Sequence, residues 1–287
     1  MNDLKAIDLH IHTNLSDGTD TPEELLTRVR QVGLDLFSVT DIDAVGAYKS
    51  LRSIMTENDP VLIPGVEFSC KDEEGQYHIL GYGFDTDAEP MRGLLESVHE
   101  LRISKVKDSL DFLKKECGVR FPTEEYANLY ALENPGKQHL ANLLVKYGFT
   151  NTVEQAFVQY IKKIRYQRDY LRPEETIRAI RESGGIPVLA HPAFGRGDQL
   201  ISGKALDRRI KRLMEFSLQG LEAYYSGFSD KLRNETLVLA ERYDLYVTAG
   251  SNYHGTNKMA LLGNTGLEEP EKAPEGFRRF LEAVRPG

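Results

Sequence analysis

Short apolar segments alternate with amphipathic segments along most of the chain. Seven apolar segments have the length and residue types of strands, and they span residues 6–11, 36–40, 61–68, 77–84, 186–190, 220–224 and 245–250. Most of them are followed by sequence that is typical of helices. This alternation predicts an α/β fold.

Two helix starts are marked by their first residues. Thr21 suits an N-cap, Pro22 suits the first helical position, and Glu24 completes a capping box. A second helix is predicted to start at Pro173 and to end before the glycine pair at residues 184–185. Both helices lie next to predicted strands, as we expect for an α/β fold.

The alternation stops between residues 91 and 170. This stretch has no convincing strand, and its helical segments are separated by glycine and proline residues. We therefore expect two parts. Residues 1–90 and 171–287 would form an α/β domain, and residues 91–170 would form a helical insertion.

Composition narrows the class of protein. With 287 residues, of which 40% are hydrophobic and 28% charged, the chain is long enough for two domains and is not collagen-like, coiled or disordered. It has no apolar run of roughly 18 residues and no signal-peptide pattern. Only Cys70 and Cys117 are present, which is typical of a reducing compartment. We expect a cytoplasmic protein that has no membrane partner.

Charge restricts the partners further. The chain has 36 basic and 44 acidic residues and a net charge of -8. This balance argues against a broad basic surface that follows a nucleic-acid backbone. A small anionic substrate in a locally positive pocket stays compatible with it, and the oligomeric state is left open.

Histidines and carboxylates collect near the predicted strand ends. His10 and His12 lie two residues apart on the first strand, so both side chains point to the same side. Asp17 follows in a Ser-Asp-Gly turn that can return a carboxylate over the end of that strand. Such an imidazole pair is half of a metal site, although an isolated pair can also be an exposed strand pair.

Later strands add candidate ligands of the same kinds. Glu67 lies near the end of the third strand, His78 lies in the fourth, and His191 and His254 follow the fifth and the seventh. In parallel barrels the carboxyl ends of the strands form the active-site face. A backbone-bonded buried histidine would explain His78 alone, but the group together predicts a cluster of Zn²⁺, Mn²⁺ or Fe²⁺ ions.

Seven short motifs carry a family resemblance. They are Asp-Leu-His-Ile-His at 8–12, Ser-Asp-Gly at 16–18, Thr-Asp-Ile-Asp at 40–43, Pro-Gly-Val-Glu at 64–67, His-Ile-Leu-Gly-Tyr at 78–82, Leu-Ala-His-Pro at 189–192 and Gly-Ser-Asn-Tyr-His-Gly at 250–255. Together they resemble the PHP (polymerase and histidinol phosphatase) family, and most closely its branch of small-nucleotide phosphatases and 5′-to-3′ exoribonucleases. The resemblance implies a distorted (β/α)7 barrel with a helical insertion and up to three divalent metals.

The resemblance also implies three groups of metal ligands. They are His10, His12, Glu67 and Asn252 for the first metal, Glu67, His78 and His191 for the second, and Asp17, His254 and the position of Ile42 for the third. The chain departs from the family pattern at Ile42, where the family has histidine, and at Asn252, where it has aspartate. We therefore expect two firmly held ions of Mn, Fe or Zn and a weak or empty third site.

The implied reaction is hydrolysis of a phosphate ester by a hydroxide that bridges two metals. The substrate would be a nucleoside monophosphate, a 3′,5′-bisphosphate or short 5′-phosphorylated RNA. His254 would be catalytic, contacting the phosphate or protonating the leaving oxygen, with a residual ligand role as the alternative.

Three further residues are expected at the substrate. Lys137 and His139 lie at the position of a family motif in the insertion, and Arg196 follows His191 closely. A solvated lysine, a helix-capping histidine and a surface arginine are the alternatives.

Two basic clusters complete the candidates. They are Lys162, Lys163, Arg165 and Arg168, and Arg208, Arg209, Lys211 and Arg212. Charge runs on helices are usually solvated faces, although the first cluster could hold a second phosphate or a short oligonucleotide. Its interleaved tyrosines, Tyr160, Tyr166 and Tyr170, could stack a base or pack in a core.

A different class of function remains open. Ile42 and Asn252 are compatible with a catalytically weakened domain that binds a phosphorylated ligand without efficient turnover. Amide hydrolysis on a similar metal-rich barrel is disfavoured, because its usual carbamylated lysine has no counterpart near the strand ends.

Overall fold

The structure is a computed structural model that describes residues 5–166, 170–195 and 199–284. The chain divides into two compact units. The first comprises Met1–Leu94 and Leu171–Gly287, and the second comprises Leu95–Tyr170.

The described residues of the first unit contain eight strands in two sheets. Strands β1 (Ile7–Ile11), β2 (Leu36–Val39) and β3 (Val61–Ile63) form a parallel sheet in that order. Every residue of β1 and β2 is buried, as is typical of a parallel sheet that is covered on both faces. Strands β4 (Gly65–Lys71), β5 (Gln76–Tyr82), β6 (Ile186–Leu189), β7 (Gly220–Tyr225) and β8 (Tyr246–Gly250) form the second sheet in sequence order.

The predicted third strand, residues 61–68, is two strands in the structure. Pro64 has no backbone N–H and cannot continue a ladder, and the chain changes partner there. β3 pairs with β2 in parallel, whereas β4 pairs with β5 in antiparallel. Gly65 follows because a Cβ at this position would collide with the Ser38 hydroxyl.

The described strands do not form the single closed barrel that the resemblance implies. β4, β5 and β6 are antiparallel neighbours, and only β6, β7 and β8 continue in parallel. Between the two sheets, single bridges join Ile11 to Tyr253 and Ile42 to Glu67. The architecture is therefore a mixed α/β fold of two sheets, whose edges meet close to the candidate ligands.

Ten helices lie among the described residues. They are α1 (Pro22–Val32), α2 (Gly46–Ile54), α3 (Glu89–Glu116), α4 (Thr123–Ala131), α5 (Lys137–Lys146), α6 (Val153–Gln159), α7 (Pro173–Glu182), α8 (Lys204–Met214), α9 (Asp230–Arg242) and α10 (Glu275–Val284). Both predicted helix starts are confirmed. Thr21 and Glu24 form the capping box of α1, and Pro173 opens α7.

The second unit has helices and its own apolar core. The described part of residues 95–170 contains no strand, and α3 crosses the boundary between the units. Leu113, Leu140 and Leu144 are among the fully buried residues of this core. None of the helices in the part of the chain that the structure describes is long and apolar enough to cross a membrane.

Candidate metal centre

The end of β1 places two imidazoles side by side. His10 and His12 are fully buried, and their ring centroids lie 5.1 Å apart. The following turn is held by the buried Asp41, whose carboxylate accepts the Thr13 N–H at 2.7 Å and the Ser16 hydroxyl at 2.5 Å. This anchoring returns Asp17 towards His12, with Oδ1 of Asp17 lying 3.5 Å from Nδ1 of His12.

Glu67 on β4 is the centre of the arrangement. Its Oε1 lies 3.4 Å from Nε2 of His10, 2.9 Å from Nδ1 of His78 and 3.4 Å from Nε2 of His191. Its Oε2 lies 3.4 Å from Nε2 of His12. Burial would raise the pKa of Glu67, but the surrounding imidazoles, His78 and His10 foremost, hold it well below its usual value. A buried carboxylate that faces four imidazoles is therefore ionised.

Asp17, His12 and His254 form a second, adjoining group. Nε2 of His254 lies 3.1 Å from Oδ1 of Asp17, and the rings of His12 and His254 stack with centroids 4.0 Å apart. Burial, then the neighbouring His254, lowers the pKa of His12 well below its usual value, which favours its neutral form. A neutral imidazole offers one lone pair to a cation.

The donor atoms therefore fall into three overlapping groups. Each group has its donor atoms within 4.8 Å of one another, and they are His10, His12 and Glu67; Glu67, His78 and His191; and His12, Asp17 and His254. The first two share the Glu67 carboxylate, and His12 links the first to the last.

Asn252 and Ile42 both line the cavity of this cluster. Asn252 has a left-handed backbone with φ of 57°, which asparagine tolerates better than most residues. Its Nδ2 donates to the Tyr225 hydroxyl at 3.2 Å, whereas its Oδ1 is buried without a partner in the structure. The amide thus has an unused oxygen, while Ile42 contributes only apolar surface.

Several buried donor atoms have no hydrogen-bond partner among the described residues. They are Nε2 of His10, both ring nitrogens of His12 and Oδ1 of Asn252. Leaving such groups unpaired in a protein interior is costly. Imidazole nitrogens beside carboxylates match the ligand preference of Zn²⁺, Mn²⁺ and Fe²⁺. The residues present therefore fit divalent transition metals.

The sequence reasoning missed Glu222, a fully buried residue on β7. Its Oε1 accepts from Nδ1 of His10 at 2.8 Å, and its Oε2 accepts the backbone N–H of His191 at 2.7 Å. Although burial lowers the pKa of His10, Glu222 and Glu67 raise it to about 10. The available signal was a lone glutamate in a strand that is otherwise apolar.

A cavity of about 480 Å³ opens onto the cluster. Besides the candidate ligands it is lined by Tyr225, Phe194, Lys258 and Arg209. Rings of Phe194 and Tyr225 pack at 6.0 Å, and Tyr225 packs against His191 at 5.4 Å. Arg209 was expected on a solvated face, so its place in this cavity corrects that expectation.

The other members of the second basic cluster differ from Arg209. Arg208 and Lys211 are exposed, and Arg212 lies 3.4 Å from Asp72. In the first cluster Lys162, Lys163 and Arg165 are exposed. Arg168 lies outside the described residues.

The expected substrate residues of the insertion have local partners within their own unit. Nδ1 of His139 accepts the Gly136 N–H at 3.2 Å, which is the helix-capping alternative. Nζ of Lys137 lies 5.2 Å from the ring centroid of Tyr166. Tyr166 and Tyr160 pack against the helical core, and Tyr170 lies under Lys105. Arg196 lies outside the described residues.

The chain is similar to characterised proteins over most of its length. The profile of the PHP domain matches residues 8–173. The 5′-3′ exoribonuclease Rnm of Salmonella typhimurium is 31% identical over 266 residues, which cover 89% of this chain and 87% of the relative. The phosphoribosyl 1,2-cyclic phosphate 1,2-diphosphodiesterase of Eggerthella lenta is 30% identical over 270 residues, which cover 92% and 98%.

A solved structure supports the fold comparison. A protein from Bifidobacterium adolescentis, provisionally described as a metal-dependent phosphoesterase, aligns with a TM-score of 0.81 and 25% identity. The alignment covers 100% of this chain and 99% of the other.

Proposed function

We propose that this chain, which belongs to the PHP domain family, hydrolyses a phosphate ester of a nucleotide or of a similar small ribose phosphate. Its relatives are hydrolases of phosphoric esters, and it is a metal-dependent enzyme of the same general reaction. The observation that carries the proposal is the convergence of five imidazoles and two carboxylates on one cavity, with buried donor atoms left unpaired.

We assign the ligands to two or three divalent ions of Mn, Fe or Zn. The first would be held by His10, His12, Glu67 and Asn252, the second by Glu67, His78 and His191, and the third by Asp17 and His254. When bound, such ions supply Lewis-acid stabilisation of the charge that develops on phosphoryl oxygens. The Asn252 amide supports this assignment, because its oxygen is the atom without a partner and its nitrogen is bonded to Tyr225.

Neighbouring residues orient the ligands. Nδ1–H of His10 donates to Glu222, so Nε2 is the nitrogen that faces Glu67. A carboxylate partner of this kind fixes the tautomer of a ligand histidine and raises its basicity. His254 donates from Nδ1 to the Asn252 carbonyl at 2.8 Å, which turns its Nε2 towards Asp17 and the cavity. We propose His254 as the residue that hydrogen-bonds the phosphate or protonates the leaving oxygen, provided that it does not ligate a metal.

The substrate class follows from chemistry that the relatives share. An exoribonuclease and a phosphoribosyl cyclic phosphate diphosphodiesterase both act on phosphate esters of ribose. Nucleoside monophosphates, 3′,5′-bisphosphates and short 5′-phosphorylated RNA are therefore our candidates. We keep Lys137, His139 and Arg196 as proposed substrate contacts, and we keep the cytoplasm as the proposed location and a distorted barrel as the proposed parent architecture.

A second candidate function is binding of a phosphorylated ligand with weak turnover. It is favoured by one observation, namely that the two departures from the family pattern, Ile42 and Asn252, both line the cavity. An intact set of His10, His12, Glu67, His78 and His191 favours catalysis.

The deciding experiment combines elemental analysis with a hydrolysis screen. Protein stripped of metal and reloaded with Mn²⁺, Fe²⁺ or Zn²⁺ would be assayed on the three candidate substrate types. The Glu67→Ala variant should lose metal and activity, whereas Glu73→Ala, an exposed glutamate paired with Arg172, should keep both. Metal-loaded parent protein that binds these compounds without hydrolysing them would favour the second candidate, and protein that binds no metal would refute the site.

A further inference from the structure

Arg209 holds together two segments that carry candidate ligands. One Nη of its guanidinium donates to the Gln76 carbonyl at 2.6 Å and to the Phe194 carbonyl at 3.3 Å. Gln76 precedes His78 by two residues on β5, and Phe194 follows His191 by three residues. The guanidinium also stacks over the Tyr77 ring at 4.4 Å and lines the cavity of the cluster.

The charge of Arg209 has no direct counter-ion among the residues that the structure describes. Asp72 is the carboxylate whose field reaches it, but that group is engaged elsewhere. Its Oδ1 accepts from the Tyr77 hydroxyl at 3.1 Å and from the Glu74 N–H at 2.9 Å, and its Oδ2 faces Arg212 at 3.4 Å. Burial lowers the pKa of Arg209 to about 10, so the guanidinium is still charged at neutral pH.

The donors of Arg209 are only partly used. The two carbonyls account for one Nη, and Nε is buried without a partner in the described structure. A half-buried cation without an ion pair is costly to keep. An anionic group in the cavity would complete its hydrogen bonds, and a guanidinium suits phosphate or carboxylate oxygens.

The position of Arg209 separates it from the metal ligands. Two residues of extended strand correspond to about 7 Å between the Gln76 and His78 positions. A group bound at Arg209 is therefore a different group from the one that meets His78. The spacing suits a substrate in which a sugar-sized spacer joins two anionic groups.

We propose that Arg209 is a specificity-determining residue that binds a second phosphate of the substrate, one that is not hydrolysed while it is bound there. This inference rests on the proposed function, because it names the substrate class of the same cavity. It predicts that the enzyme prefers a nucleoside 3′,5′-bisphosphate to the matching monophosphate.

The test compares Arg209→Met with Arg208→Met in Mn²⁺-loaded protein. Arg208 is the adjacent exposed arginine on α8, so its variant is a matched control. Substrates are adenosine 3′,5′-bisphosphate and whichever adenosine monophosphate the parent hydrolyses. Arg209→Met should raise KM for the bisphosphate at least tenfold and change KM for the monophosphate by less than about twofold. Metal content should stay at the parent value, and Arg208→Met should behave like the parent.

Equal KM changes for the two substrates, or no change for either, would overturn the proposal, because a structural role of Arg209 would act on both. Should Arg209→Met fail to fold, Arg209→Lys replaces it. Lysine keeps the charge but lacks the planar fork, so a severalfold KM rise confined to the bisphosphate supports the proposal and an unselective change refutes it.

If the parent hydrolyses neither compound, the proposed function fails, and calorimetric binding of both compounds decides the role of Arg209. A preference for the bisphosphate that Arg209→Met abolishes supports the inference. Equal binding of the two compounds by the parent overturns it.

Discussion

Replacing Asn252 with aspartate should raise phosphatase turnover. Asn252 is 5% exposed, and its unpaired Oδ1 belongs to the same cavity lining as Glu67. An amide oxygen is a neutral ligand, whereas a carboxylate brings a full negative charge to a cation. The backbone should accept the change, because aspartate tolerates the left-handed region about as well as asparagine. The Tyr225 hydroxyl can reverse its role and donate to the new carboxylate.

The size of the effect is set by two opposing contributions. Two unit charges 4 Å apart interact by about 4 kcal/mol at an effective dielectric constant of 20. Burying a carboxylate costs several kcal/mol, which offsets much of that gain. A surplus of about 1.4 kcal/mol in the barrier is enough for a tenfold increase in turnover. We therefore expect an increase of about tenfold for Asn252→Asp.

Steady-state hydrolysis of an adenosine monophosphate or bisphosphate under saturating Mn²⁺ measures this prediction. Four proteins are compared, namely the parent, Asn252→Asp, Ile42→His and the double variant. Ile42→His alone should help less, and the double variant should exceed both. Asn264→Asp, at an exposed asparagine, controls for added charge as such. Equal turnover of the parent and Asn252→Asp would show that the amide is no handicap and would remove the reason for suspecting a weakened site.

Four further predictions concern the metals. Elemental analysis should find two firmly bound ions and a weak or empty third site, because Ile42 supplies no ligand; three full sites without substrate would contradict this. Glu67→Ala should lose more metal and turnover than Asp17→Ala, and the reverse order would refute the ligand assignment. Glu222→Gln should weaken metal affinity ten- to hundredfold in a chelator competition, because partners of ligand histidines have effects of this size; unchanged affinity would make Glu222 purely structural. Because carboxylates raise the pKa of His10 to about 10, metal-free protein carries a proton there at pH 7, and metal binding should release it. Calorimetry in buffers of different ionisation enthalpy would detect that proton, and buffer-independent heats would refute it.

His10 and His12 could be placed together from the sequence, because strand alternation is a local rule that fixes the side of each residue. The capping box of α1 is local in the same sense, so Thr21 and Glu24 were sufficient to predict it. The convergence of Glu67, on another strand, was expected only because strand ends in α/β folds gather at one face.

Features that depend on tertiary packing were not predictable in this way. The break at Pro64 follows a change of partner from β2 to β5, which the apolar run of residues 61–68 does not reveal. Glu222 shares a strand with apolar neighbours, and its role depends on His10, 212 residues away in sequence. Arg209 belongs to a run of charges that resembles a solvated face, and only the packing of α8 against Gln76 and Phe194 turns it towards the cavity.

The position of His12 determines what the loss at Ile42 means. His12 faces Glu67 with Nε2 at 3.4 Å and Asp17 with Nδ1 at 3.5 Å, so it belongs to two groups of donors. A neutral imidazole has one lone pair on nitrogen, and its other nitrogen carries a proton. If Nε2 serves the Glu67 group, Nδ1–H faces the Asp17 carboxylate, and Asp17 then orients His12 instead of completing a separate site. The loss of histidine at position 42 would in that case convert an outlying ligand into a positioning residue, and Asp17→Asn, which keeps an acceptor oxygen, should retain more metal than Asp17→Ala.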